Sequence, residues 1–380
     1  MANDYDLRVF RSIDAIDKDQ IDSISNDSFF TYGWFKTLEE QKDFEISPFY
    51  VAAYKQDNLV AFVPCFIDLF DHFFYYGPYV IFPFMKRLLK IGNKLGLWQK
   101  HVLLCYSPFC FRSKVLVAED SRDPLLFGLI IKKINEICRK ERILFSSFLF
   151  VSQFDNLLAA ALQKSRYSKF FRLNTLYLDV PWSSFEVYLV GCKYETRKDI
   201  RREIKKFSQS GLIVENNSNI EDLSERLSLL HANLSQKYNS HMTPRYGPSF
   251  FESLNKFAGD KIRLFTAKKG STIVAYCLAL KQKQTLDCYL FGSDYSFRTN
   301  TDFAYFNLAY YEPIKWSIQE GIKRIFFRFA AENVKLRIGC KKEKIYSNVK
   351  CHNRSIGLLF SAYVTYSLAR TRSYEGILEV

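Results

Sequence analysis

The fold of this chain is decided by the stretch Arg263-Leu-Phe-Thr-Ala-Lys-Lys-Gly-Ser-Thr-Ile-Val-Ala-Tyr-Cys277, because its plan occurs twice. The earlier copy is Phe49-Tyr-Val-Ala-Ala-Tyr-Lys-Gln-Asp-Asn-Leu-Val-Ala-Phe-Val-Pro64. In each, an apolar strand leads into a polar turn and Val-Ala-aromatic begins a second strand, which predicts a β-hairpin. Helix-like sequence with Ser-Phe-Phe precedes both, at Ser28 and at Ser249. The repetition favours one unit used twice, and chance similarity of two ordinary hairpins is the alternative.

The remaining patterns predict a mixed order of helices and strands around each hairpin. We expect an α/β (α+β) protein with two tandem domains, each a mixed, largely antiparallel sheet flanked by helices. The predicted domains are 1–180 and 181–380, and the second starts with a long basic helix over 185–210. The order of elements does not match a doubly wound dinucleotide-binding fold. A helix over 302–320 is expected to be kinked or split at Pro313.

Composition places the chain among globular proteins with basic surfaces. It has 380 residues, of which 48% are hydrophobic and 25% charged, so two substantial cores are expected. The formal net charge of +14 favours polyanionic partners such as tRNA, coenzyme phosphates or an anionic membrane surface. Charge alone does not choose among them.

Membrane-spanning and metal-binding classes are not indicated. Proline, glycine and nearby aspartates interrupt the aromatic run 72–84, and the start of the chain is acidic, so we expect a cytoplasmic protein. The nine cysteines include no Cys-x-x-Cys pair and the histidines show no metal spacing, so neither a disulfide framework nor a metal site is predicted. Cys340 is the cysteine whose reactivity merits a test.

A polar cluster follows the apolar run 325–331. It reads Glu332-Asn-Val-Lys335-Leu-Arg337-Ile-Gly339-Cys340 and places an acid, two bases and a glycine where a strand should end. A rigid strand can deliver such side chains to a fixed point, which favours a buried polar site. An ordinary solvated connection is the alternative.

Two local phrases in the C-terminal half carry a family resemblance. The first is Phe185-Glu-Val-Tyr-Leu with Thr196-Arg-Lys-Asp-Ile-Arg-Arg-Glu203, and the second is Tyr310-Tyr-Glu-Pro-Ile-Lys-Trp-Ser-Ile-Gln-Glu-Gly321 with the polar cluster. Together with the order of elements they resemble the FemAB-like branch of the GNAT acyltransferase superfamily, whose members carry two GNAT-like units in tandem. The N-terminal half is similar in architecture only.

The resemblance implies acyl or aminoacyl transfer to an amine, with acyl-CoA or aminoacyl-tRNA as the donor and no covalently bound cofactor. Such chemistry needs orientation and donors for the oxyanion, and no covalent enzyme nucleophile. Glu332 is then the candidate base, Lys335 or Arg337 the candidate oxyanion stabiliser, and Tyr289 a candidate donor to the leaving group. A mutual salt bridge of Glu332 with Lys335, and a structural hydroxyl at Tyr289, are the alternatives.

Substrate-binding candidates flank this centre. Asp294 lies beside the end of the strand that leads into a loop at Arg298, and a separate loop offers Lys237, Tyr238 and His241, for which an ordinary polar surface is the alternative.

The loop that should grip coenzyme A is atypical. It reads Arg298-Thr-Asn-Thr-Asp-Phe-Ala304, without the glycines that let backbone amides approach a pyrophosphate. Asp302 is expected to cap the following helix, where its charge disfavours an anion. This departure weakens the case for acyl-CoA and leaves aminoacyl-tRNA or an unusual donor open.

One helical face in 185–210 is strongly basic, and its members recur at three- and four-residue spacing: Arg197, Lys198, Arg201, Arg202 and Lys205. Contact with nucleic-acid phosphates and a solvated helix face are both open. The sequence therefore predicts an acyltransferase with an amine acceptor, in possible peripheral contact with a membrane. A non-catalytic module that binds RNA or an anionic membrane surface is the alternative.

Overall fold

The computed structural model describes residues 5–41, 44, 47–68, 100–237, 246–297, 302–353 and 357–358. By compactness the chain divides into two units. Unit 1 comprises Met1–Ile24, Glu45–Leu173 and Lys344–Val380, and unit 2 comprises Ser25–Phe44 and Asn174–Glu343. Both units are therefore discontinuous in sequence, and the domain boundary expected at residue 180 stays a prediction. The aromatic run 72–84 lies outside the described residues.

The strands are listed here in chain order. They are β1 (Asp6–Phe10), β2 (Ser47–Lys55), β3 (Asn58–Asp68), β4 (Lys100–Cys105), β5 (Leu116–Val117), β6 (Ile143–Ser152), β7 (Ser168–Asp179), β8 (Ile213–Asn217), β9 (Ile262–Lys269), β10 (Thr272–Gln282), β11 (Thr285–Ser293), β12 (Arg324–Arg328) and β13 (Lys341–Cys351).

The α-helices follow the same order. They are α1 (Lys18–Ile24), α2 (Tyr32–Glu39), α3 (Pro124–Lys140), α4 (Asn156–Lys164), α5 (Phe185–Gly191), α6 (Tyr194–Ser208), α7 (Ser224–Lys237), α8 (Pro248–Ala258), α9 (Ala304–Phe306), α10 (Glu312–Gln319) and α11 (Glu332–Arg337). A π-helical turn, Asn307–Tyr311, joins α9 to α10. Short 3₁₀ turns cover Ile13–Ala15, Ser28–Phe30, Glu119–Ser121, Glu221–Leu223 and Gly259–Lys261.

In unit 1 the sheet runs β1-β2-β3-β4-β6-β13. All neighbouring pairs are antiparallel except β4 with β6, which are parallel because α3 carries the chain back to the same edge. The buried face of α3 includes Ile130, Ile131 and Ile134, and it packs against inward-facing residues of β2 and β3. Asp123 caps this helix by accepting from the backbone N–H groups of Leu125 and Leu126.

In unit 2 the strand order is β8-β9-β10-β11-β12-β7. Its one parallel pair among the described ladders is β11 with β12, and the crossover between them is the α9–π–α10 segment. That ladder pairs only residues 285–287 with 324–326, although β11 continues to Ser293. Beyond Asp287 and Phe326 the ladder ends, and we call the region past its last pair the opening between β11 and β12.

If the two-residue β5 is left out and α9, the π-helical turn and α10 count as one crossover, the described residues show the order β-α-α-β-β-β-α-β twice, from β1 to β6 and from β8 to β12. Both hairpins predicted from the repeated plan are present as β2–β3 and β9–β10. The predicted fold class is thus confirmed, with a mixed, largely antiparallel sheet and one parallel pair in each copy.

Two predicted elements differ in detail. The basic stretch 185–210 forms two helices, because Cys192 is extended (φ −78°, ψ 153°) and ends α5 before α6 begins. The stretch after β12, for which a buried polar site and a solvated connection were the two interpretations, forms the short helix α11 over residues 332–337. The helix expected over 302–320 is interrupted by the π-helical turn just before Pro313, as a proline inside a helix predicts.

Candidate functional site

The short helix α11 starts where β12 ends, and the backbone turns sharply between them. Arg328 (φ 63°) and Ala331 (φ 55°) both adopt the left-handed conformation, which is uncommon for residues with a Cβ. The pairing of β12 with β7 also shifts register between Phe326 and Arg328. The bulge leaves Phe327 out of the register of β12 with β7, and α11 begins directly after the turn.

Lys335 contacts the end of β12. Its side chain is buried, at 4% exposure, and Nζ donates to the carbonyl oxygen of Phe327 and, at 3.4 Å, to that of Arg328. Burial lowers the pKa of Lys335 to about 8; the nearby Cys340 and Cys288 oppose this shift, and the guanidinium of Arg328 adds a smaller lowering. A cation that loses its proton so readily is held at the mouth of the opening between β11 and β12.

Glu332 has different surroundings. Its Oε1 lies 2.5 Å from Nζ of Lys342 and its side chain is partly exposed. The salt bridge between Glu332 and Lys335, open from sequence, is therefore not the arrangement found, and the acid faces solvent while the lysine faces main-chain carbonyls.

Arg337 points to α6 instead. Its guanidinium lies 3.2 Å from Oδ2 of Asp199 and 3.3 Å from Oε1 of Glu203. Glu203 is almost fully buried and also accepts a hydrogen bond from the hydroxyl of Tyr311 in the π-helical turn. Burial, and next this contact with the carboxylate, raise the pKa of Tyr311 well above its ordinary value. The network ties α11, α6 and the π-helical turn together.

A cavity of about 490 Å³ lies beside Arg337. Its lining combines aromatic, aliphatic and cationic groups from α5, the start of α6 and α11: Trp182, Tyr188, Gly191, Cys192, Lys193, Thr196, Asn333, Leu336, Arg337, Ile338 and Gly339. Tyr188 donates to the carbonyl of Ile338 at 3.0 Å and so fixes α5 against the end of α11. Glu332, Lys335 and Tyr289 are not part of this lining.

Tyr289 belongs to an aromatic cluster. Its hydroxyl is 2.8 Å from that of Tyr246, and its ring makes edge contacts with Phe29 and Trp34 at centroid distances of 5.0 and 5.4 Å. The guanidinium of Arg328 stands 4.4 Å from the Tyr289 ring centroid. Tyr289 thus lies on the β11 side of the opening, with its hydroxyl engaged inside the protein.

The other substrate-binding candidates are dispersed. The carboxylate of Asp294 accepts hydrogen bonds from Arg226, at 3.1 Å, and from Ser296. Burial alone would raise the pKa of this carboxyl, but these two partners hold the pKa below its ordinary value. Lys237 lies over the ring of Tyr295, at 3.7 Å. Three further candidates fall outside the described residues: Tyr238, His241 and Arg298.

Asp302 lies one residue before Phe303, the N-cap residue of α9, and not at the cap position that the sequence predicts. Its buried carboxylate accepts from the backbone N–H of Ala304 at 2.9 Å. This amide is the first of the helix, in the position where GNAT proteins that use coenzyme A are expected to present free amides.

The five basic candidates all lie on α6, and most face solvent. Arg197 donates to the carbonyl of Val190 at 3.2 Å, Arg201 pairs with Glu186 at 2.9 Å and Arg202 pairs with Asp199 at 2.8 Å. Lys198 and Lys205 form no ion pair within the described part of the chain. Both of these lysines are available to an external anion.

Cys340, whose reactivity the sequence left for testing, is buried. Burial raises the pKa of its thiol to about 12, although the nearby Lys335 opposes the shift. At neutral pH this thiol is protonated and shielded, which is the state of an unreactive cysteine.

The described ranges contain no group of three or more His, Cys, Asp or Glu residues placed to hold a metal ion. In the same ranges, no helix is both long enough and apolar enough to span a bilayer.

The fold and the repeated order of elements are similar to those of tandem GNAT proteins. Solved structures with the same fold include FemX (TM-score 0.59, 10% identity, 90% of this chain and 96% of that chain) and L-PGS from Bacillus licheniformis (0.52, 12%, 84% and 88%). A tandem GNAT protein from the clavulanic acid biosynthesis pathway matches with a TM-score of 0.50 and 9% identity, over 92% of this chain and 99% of that chain. Among curated protein sequences none matches significantly.

The chain belongs to the FemAB-like family, because the model of this family matches residues 11–377. The family is described as acting in peptidoglycan biosynthesis/recognition. The family resemblance stated from the sequence is thereby confirmed. Family and fold together support transfer of an acyl or aminoacyl group as the general activity.

Sequence reasoning missed the buried acid. Glu203 was not among the predicted site residues, yet it anchors Arg337 and Tyr311. A signal was present: Thr196, Ile200, Glu203 and Phe207 form the buried stripe of α6, and an acid inside such a stripe requires a partner.

Proposed function

We propose that this protein transfers an aminoacyl group from aminoacyl-tRNA to an amine acceptor, and that the reaction takes place in unit 2 at the opening between β11 and β12. The observation that carries the proposal is the buried Lys335 ammonium at the end of β12. A cation fixed in a site of low dielectric stabilises developing negative charge far better than one in water.

In the proposed reaction the amine nitrogen attacks the ester carbonyl carbon of the donor. A C–N bond forms, the C–O bond to the terminal ribose breaks, and the proton lost by the amine passes to the ribose oxygen that leaves. Lys335 stabilises the oxyanion of the tetrahedral intermediate. The partly exposed Glu332 accepts the proton from the amine and passes it to the leaving ribose oxygen. Arg337, held by Glu203, and Tyr289, held by Tyr246, act as positioning residues.

The donor is proposed to be aminoacyl-tRNA because of Asp302. The carboxylate of this residue accepts a hydrogen bond from the first backbone N–H of α9. It therefore places negative charge where the pyrophosphate of coenzyme A would bind. An ester-linked aminoacyl group brings no pyrophosphate to that position, so this charge does not oppose it.

The test compares donors and a matched pair of lysine variants. Unfractionated aminoacyl-tRNA carrying ¹⁴C-amino acids, or ¹⁴C-acetyl-CoA, is incubated with hydroxylamine as a small amine acceptor, and the hydroxamate is measured above the enzyme-free rate. We expect turnover with aminoacyl-tRNA, and a loss on the order of 10²- to 10³-fold in Lys335→Met. Lys323→Met, which alters an exposed lysine just before β12, serves as the control.

The outcomes separate the possible functions. Thermal unfolding of both variants shows whether Lys335→Met still folds. If Lys335→Met does not fold, Lys335→Arg is tested in its place, because it retains the positive charge. Equal turnover in the wild type and a folded Lys335→Met variant would contradict the proposed role of the lysine. Transfer from acetyl-CoA alone would assign the other donor, and no transfer from either would favour a non-catalytic binding module.

A further inference from the structure

An apolar and basic surface covers α5 and the start of α6. Its residues are different from those at the opening between β11 and β12. Val187, Val190 and Tyr194 are 47%, 68% and 66% exposed, in a chain whose apolar side chains are mostly buried. Around them lie Arg197, Lys198 and Arg201. We name these six residues the α5–α6 patch.

Contacts within the chain show that the apolar and basic parts of the α5–α6 patch are contiguous. Arg197 donates to the carbonyl of Val190 at 3.2 Å and lies 5.9 Å from the Tyr194 ring centroid. Arg201 reaches back to Glu186, beside Val187, at 2.9 Å. The cations therefore flank the exposed valines on the same surface of unit 2.

We propose that the α5–α6 patch docks this protein on an anionic lipid membrane. Valine and tyrosine side chains gain free energy by entering the boundary between headgroups and acyl chains, and flanking Lys and Arg attract anionic headgroups. Tyrosine is favoured at this boundary because its ring is apolar while its hydroxyl stays hydrated. Of the acids on this surface, Glu186 pairs with Arg201 and the exposed Glu195 follows Tyr194, whereas Asp199 and Glu203 are directed to Arg337. Arg197 and Lys198 form no ion pair within the described residues, so they keep a positive charge on the patch.

RNA fits the α5–α6 patch less well. A nucleic-acid surface combines cations with aromatic side chains on which bases stack. The two most accessible apolar positions of α5, Val187 and Val190, offer no stacking face and no hydrogen bond, so their exposure has no use in such a complex. A bilayer uses both the valines and the cations.

Docking would also bring the cavity to the membrane. Gly191 and Lys193, which line the cavity, directly adjoin patch residues in the chain. The cavity would then lie at the level of the headgroups.

The test is vesicle sedimentation with the full chain, using phosphatidylcholine vesicles and vesicles of equal parts phosphatidylcholine and phosphatidylglycerol. We expect binding only to the anionic vesicles, weakened by added salt. Val187→Ser with Val190→Ser should lower the partition constant by about tenfold or more, since both valines lose apolar contact. Lys198→Glu should lower it by roughly tenfold or more, because one charge is removed and the opposite one is added.

Two control variants match these changes elsewhere in unit 2. Ile213→Ser alters another exposed apolar residue, on β8, and Lys269→Glu reverses an exposed lysine on β9. Both should bind vesicles like the wild type, and thermal unfolding of all variants confirms that they fold.

The proposal is overturned if the wild type does not bind anionic vesicles, or if the valine variant binds them as well as the wild type does. Filter binding of unfractionated tRNA is measured on the same variants. Loss of tRNA binding in Lys198→Glu with vesicle binding unchanged would identify the surface as an RNA-binding one. Vesicle binding is independent of turnover, so its failure leaves the proposed reaction unaffected.

Discussion

The ammonium of Lys335 lies among main-chain carbonyls rather than beside a carboxylate. In this position it satisfies acceptors at the end of β12, but it does so as a buried charge without an acidic partner in its hydrogen bonds. Desolvation of such a charge is costly, and partial loss of the proton is the physical consequence. The lysine therefore combines a structural contact with a readily altered charge, a combination found at functional sites.

This arrangement predicts how stability depends on pH. The unfolded chain keeps the Lys335 proton up to its ordinary pKa of 10.5, whereas the folded protein releases it near pH 8. Between these values the unfolded state binds more protons, so the contribution of Lys335 to stability increases as pH rises, by up to about 1.4 kcal/mol per pH unit. The measurement is urea unfolding of the wild type and Lys335→Met from pH 7 to 10.5.

Other groups also titrate in that range, and the comparison of the two proteins removes them. The free energy of unfolding of the wild type should rise relative to that of Lys335→Met as pH increases from 8 to 10.5. A constant difference across the range would mean that Lys335 keeps an ordinary pKa in the folded protein.

Among the helices of unit 2, α2 and α8 cross at close range. A Cβ on Gly33 would lie 2.1 Å from the carbonyl oxygen of Phe257, so a methyl group has no room there. Gln41 accepts from the hydroxyl of Ser249 and donates to that of Ser253, at 3.1 and 2.9 Å, beyond the crossing. These contacts hold a helix from the start of the chain against one from its second half.

We expect Gly33→Ala to destabilise the protein by about 1–3 kcal/mol, because backbone atoms must move to admit the methyl group. Gly128→Ala is the matched control, since a Cβ at Gly128 in α3 meets nothing within 4 Å. That change should stabilise by about 0.5–1 kcal/mol through helix propensity. Urea unfolding midpoints measure both effects, and a Gly33→Ala variant as stable as Gly128→Ala would refute the close crossing.

The elements that sequence could predict are those with a strong period or a repeated plan. Both hairpins follow from apolar strands around polar turn residues, and Asp302 does bind the first backbone N–H of α9, although from the position before the cap. Helix α11 was not predictable, because six residues carry too little periodicity and its start depends on a left-handed Ala331. The stretch 332–340 was correctly singled out, but the different partners of Glu332 and Lys335 depend on how α11 packs, which spacing alone does not determine.

On the scale of the whole molecule, the two structural repeats and the two compact units do not coincide. The repeated order starts with β1, α1 and α2, yet Ser25–Phe44, which contains α2, belongs to unit 2. This segment supplies Phe29 and Trp34 to the aromatic cluster of Tyr289, and Ser25 accepts from Gln282 at 3.2 Å. The core of the proposed catalytic unit therefore needs residues from near the start of the chain.

A fragment test follows from this discontinuity. The fragment Asn174–Glu343 alone lacks the rings that cover Tyr289 and the helix that covers α8, so we expect it to bind a hydrophobic dye and to unfold without a sharp transition. Adding a peptide of Ser25–Phe44 in trans should reduce dye binding and restore near-ultraviolet circular dichroism from the aromatic cluster. The same peptide with Trp34→Ser should not, because it lacks the ring that contacts both Phe250 and Tyr289. Cooperative unfolding of the fragment without any peptide would show that unit 2 does not depend on the N-terminal segment.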